Sequence, residues 1–228
     1  STAIDLSSIN VEIFFGSAKA DYVTSSGSSE LYIYGAGGDD IIFGGDGNDT
    51  ISGGDGNDSL SGAGGFDLLL FSDSLSSIEL YFDHGEAKIG DQEIDYFDGF
   101  EGFVGSYYND ILIGGAGFQA LYGEAGDDVL NGGLGADYLD GGDGADIVSY
   151  IASLSAVTVD LGAGQALGGD AEGDELVNIE NLWGSNHADV LVGNQLNNKI
   201  EGGQGADTLD GGEGRDTVSY FSSGDGVS

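Results

Sequence analysis

Aliphatic residues recur every nine positions through most of this chain, and the positions between them are largely polar or glycine. The first run is Val23, Ile33, Ile42, Ile51, Leu60 and Leu69. The second is Leu112, Leu121, Leu130, Leu139 and Val148, and the third is Leu191, Ile200, Leu209 and Val218. A period of nine is neither the helical 3.6 nor the strand period of 2. It marks an internal repeat, which has to be recognised before any element is assigned. The clearest copies are GGDGNDTIS and GGDGNDSLS, residues 44–61. Glycine holds position one in every copy except the one starting at Ser26, and the aliphatic residue holds position eight. Fifteen copies fit this frame. They start at 16, 26, 35, 44, 53 and 62, then at 105, 114, 123, 132 and 141, then at 184, 193, 202 and 211, with Ser25 as a single inserted residue.

A three-residue strand centred on position eight cannot stand alone. If each glycine-rich stretch is a turn, two copies make one coil, and stacked coils bury the aliphatic residues in a thin column. Glycine suits turns whose backbone angles would strain a side chain. Two segments of equal length, 71–104 and 150–183, interrupt the repeats and overlay without a gap: SLSSIELYF falls on SLSAVTVDL, and GFEGFVGS on NIENLWGS. NVEIFFGS at 10–17 is a third version of the latter phrase. Within the spacers Ile78, Leu80 and Phe82 alternate, as do Val157, Val159 and Leu161, which predicts half-buried strands. DHGEAKIG at 83–90 predicts a hairpin. The expected organisation is a spacer tail at 1–15, repeat blocks at 16–70, 105–149 and 184–219, spacers at 71–104 and 150–183, and the start of a further spacer at 220–228. A tandem array of this kind reads as an excerpt of a longer protein.

Charge changes the picture. The 228 residues carry 41 Asp and Glu against 4 Lys and Arg, a formal net charge of -37. Self-repulsion on this scale opposes a compact state, and a surface so acidic excludes nucleic acid and anionic membranes as partners. Carboxylate oxygens select hard cations such as calcium. Position six is Asp in twelve of the fifteen copies, the exceptions being Leu31, Gln119 and Asn198. Stacking therefore brings like carboxylates together along both edges of the coil, and a cation between turns would make that favourable. Cysteine is absent, which removes disulfides, zinc-thiolate sites and thiol catalysis. The start STAIDLSSIN has neither the basic nor the apolar region of a signal peptide, and no apolar run is long enough to span a membrane as a helix.

These copies resemble the RTX, or hemolysin-type, nonapeptide repeat GGxGxDxUx, and the match extends over about 135 of the 228 residues. The spacer ending NLWGSNHADVLVGN (181–194) is similar to the segment that re-enters the roll in the C-terminal domains of serralysin-type proteases. The resemblance implies an all-β chain: right-handed parallel β-roll (β-solenoid) blocks separated by β-hairpin spacer or capping segments. It implies several calcium ions, each between turns on one edge, held by position-six aspartates and turn carbonyls. Carried over, the metal candidates are Asp40, Asp49, Asp58, Asp67, Asp110, Asp128, Asp137, Asp146, Asp207 and Asp216. Gly44, Asp46, Asn48, Gly53, Asp55 and Asn57 of the two best-formed turns join them. Asp49 and Asp67 should share one edge, with Asp40 and Asp58 on the other. The position-three acids Asp46, Asp55 and Asp143 either tune affinity or are solvated surface charge. The copies starting at 16, 26, 105 and 184 lack glycine at position four and are expected to be capping turns with weak or absent ions. Gln119 and Asn198 should weaken their sites.

The family also implies export by type I secretion and calcium-triggered folding outside the cell, with no catalysis by the repeats. The alternatives are an adhesin or surface-layer module that binds glycan or self-associates, and the accessory region of a secreted protease, lipase or alginate epimerase. His84 and His187, the two histidines, sit in no HExxH pattern, and no phosphate loop is present. The aromatic group Tyr96, Phe97, Phe100, Phe103, Tyr107 and Tyr108 either forms a partner surface or covers the apolar end of a roll, with Trp183 in the same role in the second spacer.

Overall fold

The computed structural model describes residues 4–8 and 11–220, in two compact units, Ser1–Tyr108 and Asn109–Ser228. The predicted spacer start at 220–228 lies outside the described residues apart from Tyr220. In the first unit, Tyr22–Thr24, Ile41–Gly45, Ser59–Ala63 and Glu93–Asp98 form successive parallel strands of one sheet. The opposing sheet runs Ile13–Phe15, Tyr32–Tyr34, Thr50–Ser52, Leu68–Leu70 and Gly102–Val104, also parallel. The register places each position eight on the position eight two copies later: Ile42 on Leu60, and Ile33 on Ile51. Two copies therefore make one coil, as the period requires.

The second unit repeats the plan. Ile111–Ala116, Val129–Leu134, Ile147–Ser149, Asn181–Trp183, Lys199–Glu201 and Thr217–Ser219 are parallel neighbours in that order. Ala120–Tyr122, Tyr138–Asp140 and Glu175–Val177 form a second sheet. Thr158–Asp160, Val190–Val192 and Thr208–Asp210 form a third.

The column between the sheets is the core. From Val23 to Ile200 the position-eight side chains are essentially sealed from solvent. Burying each such side chain stabilises the fold by about 1.5–3 kcal/mol. The column loosens at its last turns, where Leu209 is half-buried and Val218 is 39% exposed.

The predicted spacer hairpins form. Ile78–Tyr81 pairs antiparallel with Glu86–Ile89, around a turn in which Gly85 takes φ 62° and donates its N–H to the Phe82 carbonyl. Thr158–Asp160 pairs with Gln165–Leu167 in the same way. Ile78, Leu80, Val157 and Val159 are buried, as their alternation predicts. The rest of each spacer belongs to the roll. Phe97 lies on Leu60 and Phe103 on Leu69, both in parallel register, and Leu176 lies on Leu139 and Leu182 on Val148. Of the spacer aromatics, Phe97, Phe100 and Phe103 are core residues packed on one another at centroid distances of 5.2–6.4 Å, whereas Tyr96, Tyr107 and Tyr108 are exposed.

Candidate metal sites

Position six stands at the end of each turn, one residue before its strand. Its main-chain N–H has no strand partner, and a side chain one coil away accepts it. Asp40 N–H donates to Asp58 Oδ1 (2.8 Å), and Asp49 N–H to Asp67 Oδ1 (2.6 Å). The same bond joins Asp110 to Asp128, Gln119 to Asp137, Asp128 to Asp146, Asp189 to Asp207 and Asn198 to Asp216. The ladder follows the predicted edges, with Asp40 and Asp58 on one and Asp49 and Asp67 on the other.

The second carboxylate oxygen behaves differently. Oδ2 of Asp40, Asp49, Asp58, Asp67, Asp128, Asp137 and Asp146 is buried and accepts no hydrogen bond. Each lies against the position-one glycine of its own turn. A Cβ on Gly35 would collide with Asp40 Oδ2 and with the Gly53 carbonyl of the next coil. Gly44 is placed likewise between Asp49 Oδ2 and the Gly62 carbonyl, and Gly123 between Asp128 Oδ2 and the Gly141 carbonyl. Gly62 and Gly141 have the same surroundings, with the Gly99 and Asn178 carbonyls supplying the oxygen. Two oxygens thus converge from successive coils with no donor between them. Burying an unsatisfied carboxylate is costly, and this structure does so seven times at one repeat position.

The backbone at position two separates these turns from the rest. Ala36, Gly45, Gly54, Ala63, Glu124, Gly133 and Gly142, which belong to the seven turns, all have φ between 74° and 133°. Gly203 and Gly212, in the turns of Asp207 and Asp216, share it at 87° and 81°. Ser17, Ser106, Gly115, Ser185 and Asn194 do not. In four of those five copies the position-two N–H points at the side chain of position six. Ser17 donates to Asp21 Oδ2 (2.7 Å), Gly115 to Gln119 Oε1 (3.1 Å), Ser185 to Asp189 Oδ2 (2.6 Å) and Asn194 to Asn198 Oδ1 (2.8 Å). The backbone itself closes these turns. Asp110, whose copy carries Ser106 at position two, is buried and engaged with the protein, and is not among the seven with an open oxygen.

Burial, the largest cause throughout, pushes the Asp58 and Asp128 carboxyls up to about 7 and those of Asp67, Asp137 and Asp146 to about 6. Asp40, Asp49 and Asp207 are raised for the same reason. No basic side chain relieves them: among the described residues the one ion pair is Lys88 with Glu79 at 3.5 Å, both half-exposed. Nor do three acidic or imidazole side chains converge anywhere among those residues, so a cation at these turns has to take oxygens from the main chain as well.

The remaining candidates are placed less centrally. Gly44 and Gly53 are the position-one glycines against Asp49 and Asp58. Asp46, Asp55 and Asp143 are exposed. Asn48 and Asn57 form a separate ladder at position five, where Asn48 Oδ1 accepts Phe66 N–H (2.9 Å) and Asn57 Oδ1 accepts Ile94 N–H (3.1 Å). Those amide oxygens are used within the protein.

Sequence reasoning missed four acids. Asp95 Oδ1 accepts Asp58 N–H (2.8 Å), and Asp174 Oδ1 accepts Asp137 N–H (2.9 Å), so both occupy position six of a coil. Residues 90–98 (GDQEIDYFD) and 169–177 (GDAEGDELV) are degenerate copies of the repeat, with Gly, Asp and an apolar residue at positions one, six and eight. Gly99–Glu101 and Asn178–Glu180 then form shortened turns, in which the longer glutamate side chains accept Asp67 and Asp146 N–H at 3.0 Å. Burial raises Asp95 to about 8 and Asp174 to about 6. Tyr150, itself buried, donates its hydroxyl to Asp174 Oδ2 (2.9 Å).

The family model of the RTX calcium-binding nonapeptide repeat matches the chain four times, at residues 34–69, 104–137, 119–148 and 183–218, together just over half of its length. No curated protein is significantly similar in sequence. Among solved structures, the extracellular lipase LipA from Serratia marcescens aligns over 90% of this chain at 16% identity, with a TM-score of 0.21. The alignment takes in 35% of that protein, so this chain spans about a third of its length.

Proposed function

The chain belongs to the RTX calcium-binding nonapeptide repeat family, and from that premise we propose that it is a calcium-dependent structural region of a secreted protein. Its repeats bind several calcium ions, and the ordered roll is the product of that binding. The reading rests above all on the seven buried, unpartnered Oδ2 atoms, each facing a main-chain oxygen or a glycine where a Cβ would not fit. Hard oxygen donors of this kind suit calcium. Asp40, Asp49, Asp58, Asp67, Asp128, Asp137 and Asp146 would hold the ions together with turn carbonyls. Asp207 and Asp216 join them through the shared backbone at position two. Asp21, Asp110 and Asp189 belong to turns of the other backbone class, and Gln119 and Asn198 carry no charge, so these turns take no ion. Within each unit the spacer adds to the roll, because its degenerate copy extends the ladder by one coil, to Asp95 in the first unit and to Asp174 in the second.

Ion and fold are coupled, because convergence of the oxygens exists only in the coiled state and binding energy becomes folding energy. A chain of net charge -37 stays expanded where free calcium is scarce and compacts where it is plentiful, which suits folding after export. Circular dichroism of the 228-residue chain tests this. In chelator the spectrum should show little β-structure, with a cooperative gain on adding calcium at about 10⁻⁴–10⁻³ M. A spectrum indifferent to calcium refutes the coupling.

A further inference from the structure

Within each unit the end of a spacer closes on the last strand of the preceding repeat block in one and the same way. Gly102–Val104 lies parallel on Leu68–Leu70, and Asn181–Trp183 on Ile147–Ser149, with Phe103 on Leu69 and Leu182 on Val148. Three hydrogen bonds recur at both joints. Phe71 N–H donates to the Val104 carbonyl (2.9 Å) and Tyr150 N–H to the Trp183 carbonyl (2.8 Å). Gly102 N–H donates to the Asp67 carbonyl (2.9 Å) and Asn181 N–H to the Asp146 carbonyl (2.8 Å). Asp67 and Asp146 N–H in turn donate to Glu101 and Glu180 Oε2, both at 3.0 Å. The four column residues of these joints are sealed from solvent.

Both halves of the same joint recur elsewhere in the chain, each without its mate. Glu12–Phe15 aligns with Glu101–Val104 and Glu180–Trp183, and Asp216–Tyr220 (DTVSY) aligns with Asp67–Phe71 (DLLLF) and Asp146–Tyr150 (DIVSY). Among the described residues Ile13–Phe15 is the outermost strand of its sheet, and Thr217–Ser219 is the outermost strand of another. The Glu12 carbonyl and Gly16 N–H face Tyr32–Tyr34, so Ile13 N–H and the Phe15 carbonyl point along the free edge. The column residues are open to match. Phe14 is half-buried between Ile13 and Phe15, which are 56% and 71% exposed, and Val218 is 39% exposed. The other sheet at the Phe14 end is covered, since Ile4–Asp5 lies on Val23–Thr24 and Leu6 is buried. An apolar edge strand left open in this way is a template for pairing with another chain.

Resting on the calcium-folded roll described above, we propose that the chain associates head to tail with a second copy of itself. Thr217–Ser219 of one copy adds as a parallel strand to Ile13–Phe15 of the next, with Val218 on Phe14. Ile13 N–H then donates to the Asp216 carbonyl, Tyr220 N–H to the Phe15 carbonyl and Asp216 N–H to the Glu12 carboxylate, as in the two internal joints. The two surfaces differ, so the contact is heterologous and propagates into open chains. Because each copy carries a formal charge of -37, the joint forms only where calcium offsets the repulsion. Sedimentation of the full chain in calcium should show a mass that climbs with concentration from the 23.1 kDa monomer. F14D and V218D each block one face, and each alone should associate at least about tenfold more weakly. Mixed together they should pair through the intact Thr217–Ser219 of the F14D chain and the intact Ile13–Phe15 of the V218D chain, and stop at twice the monomer mass. I13P removes one outward N–H and leaves the column intact, and it replaces F14D in the mixture if F14D loses the calcium-dependent dichroism of the parent. A parent chain that stays monomeric in calcium, a single-face variant that associates as the parent does, or a mixture that stays monomeric overturns the inference and leaves calcium-dependent folding standing. Dichroism of the parent that is indifferent to calcium overturns the functional reading beneath it as well.

Discussion

Acidifying the chelated protein is expected to drive it toward the folded state, the opposite of ordinary acid denaturation. Seven buried carboxyls have folded values displaced upward, to about 6 for Asp67, Asp137, Asp146 and Asp174, about 7 for Asp58 and Asp128 and about 8 for Asp95. In the unfolded chain an aspartate titrates near 3.9. Folding therefore takes up protons wherever the pH lies between these values, and stability falls as pH rises. The contribution is fully present below about 4 and is lost as pH climbs from about 6 through 8. Summed over the seven groups, folding without calcium takes up about six protons at pH 5 and about two at pH 7. A proton on these carboxyls neutralises the charge that calcium would otherwise meet, so the two compete. Far-UV circular dichroism in chelator should gain β-signal between pH 8 and pH 5. Calcium binding to acid-folded protein should release protons, read as a buffer-dependent heat in titration calorimetry. A chelated chain that only loses structure on acidification, with calcium binding unchanged between pH 5 and 8, would refute the claim that the buried Asp carboxyls are the ion sites.

Two substitutions test single positions. Asp58→Asn keeps an acceptor for Asp40 N–H but discharges an open oxygen, and it should raise the calcium midpoint of folding several-fold. Asp189→Asn alters a carboxylate already served by Ser185 and by Val157 N–H, and it should move the midpoint less than twofold in the same dichroism titration; one ion held at a hundred times its Kd stabilises by about 2.7 kcal/mol, which sets the scale. In the core, Leu130→Ala should cost about 2–5 kcal/mol in calcium by urea unfolding, whereas Val218→Ala, at the loosened end of the column, should stay within about 0.5 kcal/mol. Equal costs would contradict the graded column.

The nine-residue spacing made the coil, its register and its aliphatic column legible, because each of those follows from periodicity alone. The position-six aspartates and their edges were legible for the same reason. The degenerate copies were not. GDQEIDYFD and GDAEGDELV have lost glycine at positions two and four, and their isolated acids resemble the solvated charge around them. The signal was present in the gapless overlay of the two spacers, since Gly90, Asp95 and Phe97 fall on Gly169, Asp174 and Leu176. The Asn48 and Asn57 ladder was not legible, because an amide oxygen can serve an ion or a main-chain N–H equally well, and only the fold shows that position five faces position five of the next coil.

The division between open and closed turns was half legible, and the reason is physical. Serine or asparagine at position two, as in Ser17, Ser185 and Asn194, marks a closed turn. Gly115 is closed as well, although glycine at that position tolerates either sign of φ, and there the uncharged Gln119 side chain is long enough to accept Gly115 N–H. Conversely Ala36, Ala63 and Glu124 hold φ of 74–81°, a region that costs non-glycine residues about 1–3 kcal/mol and persists only when the surroundings enforce it. The carboxylates at Asp40, Asp67 and Asp128 would be satisfied if those three residues relaxed as Ser17 and Ser185 do. They are instead held in the conformation that leaves an oxygen open. A fold that bears backbone strain to keep a buried carboxylate unpartnered is organised around a counter-charge that the polypeptide itself does not contain.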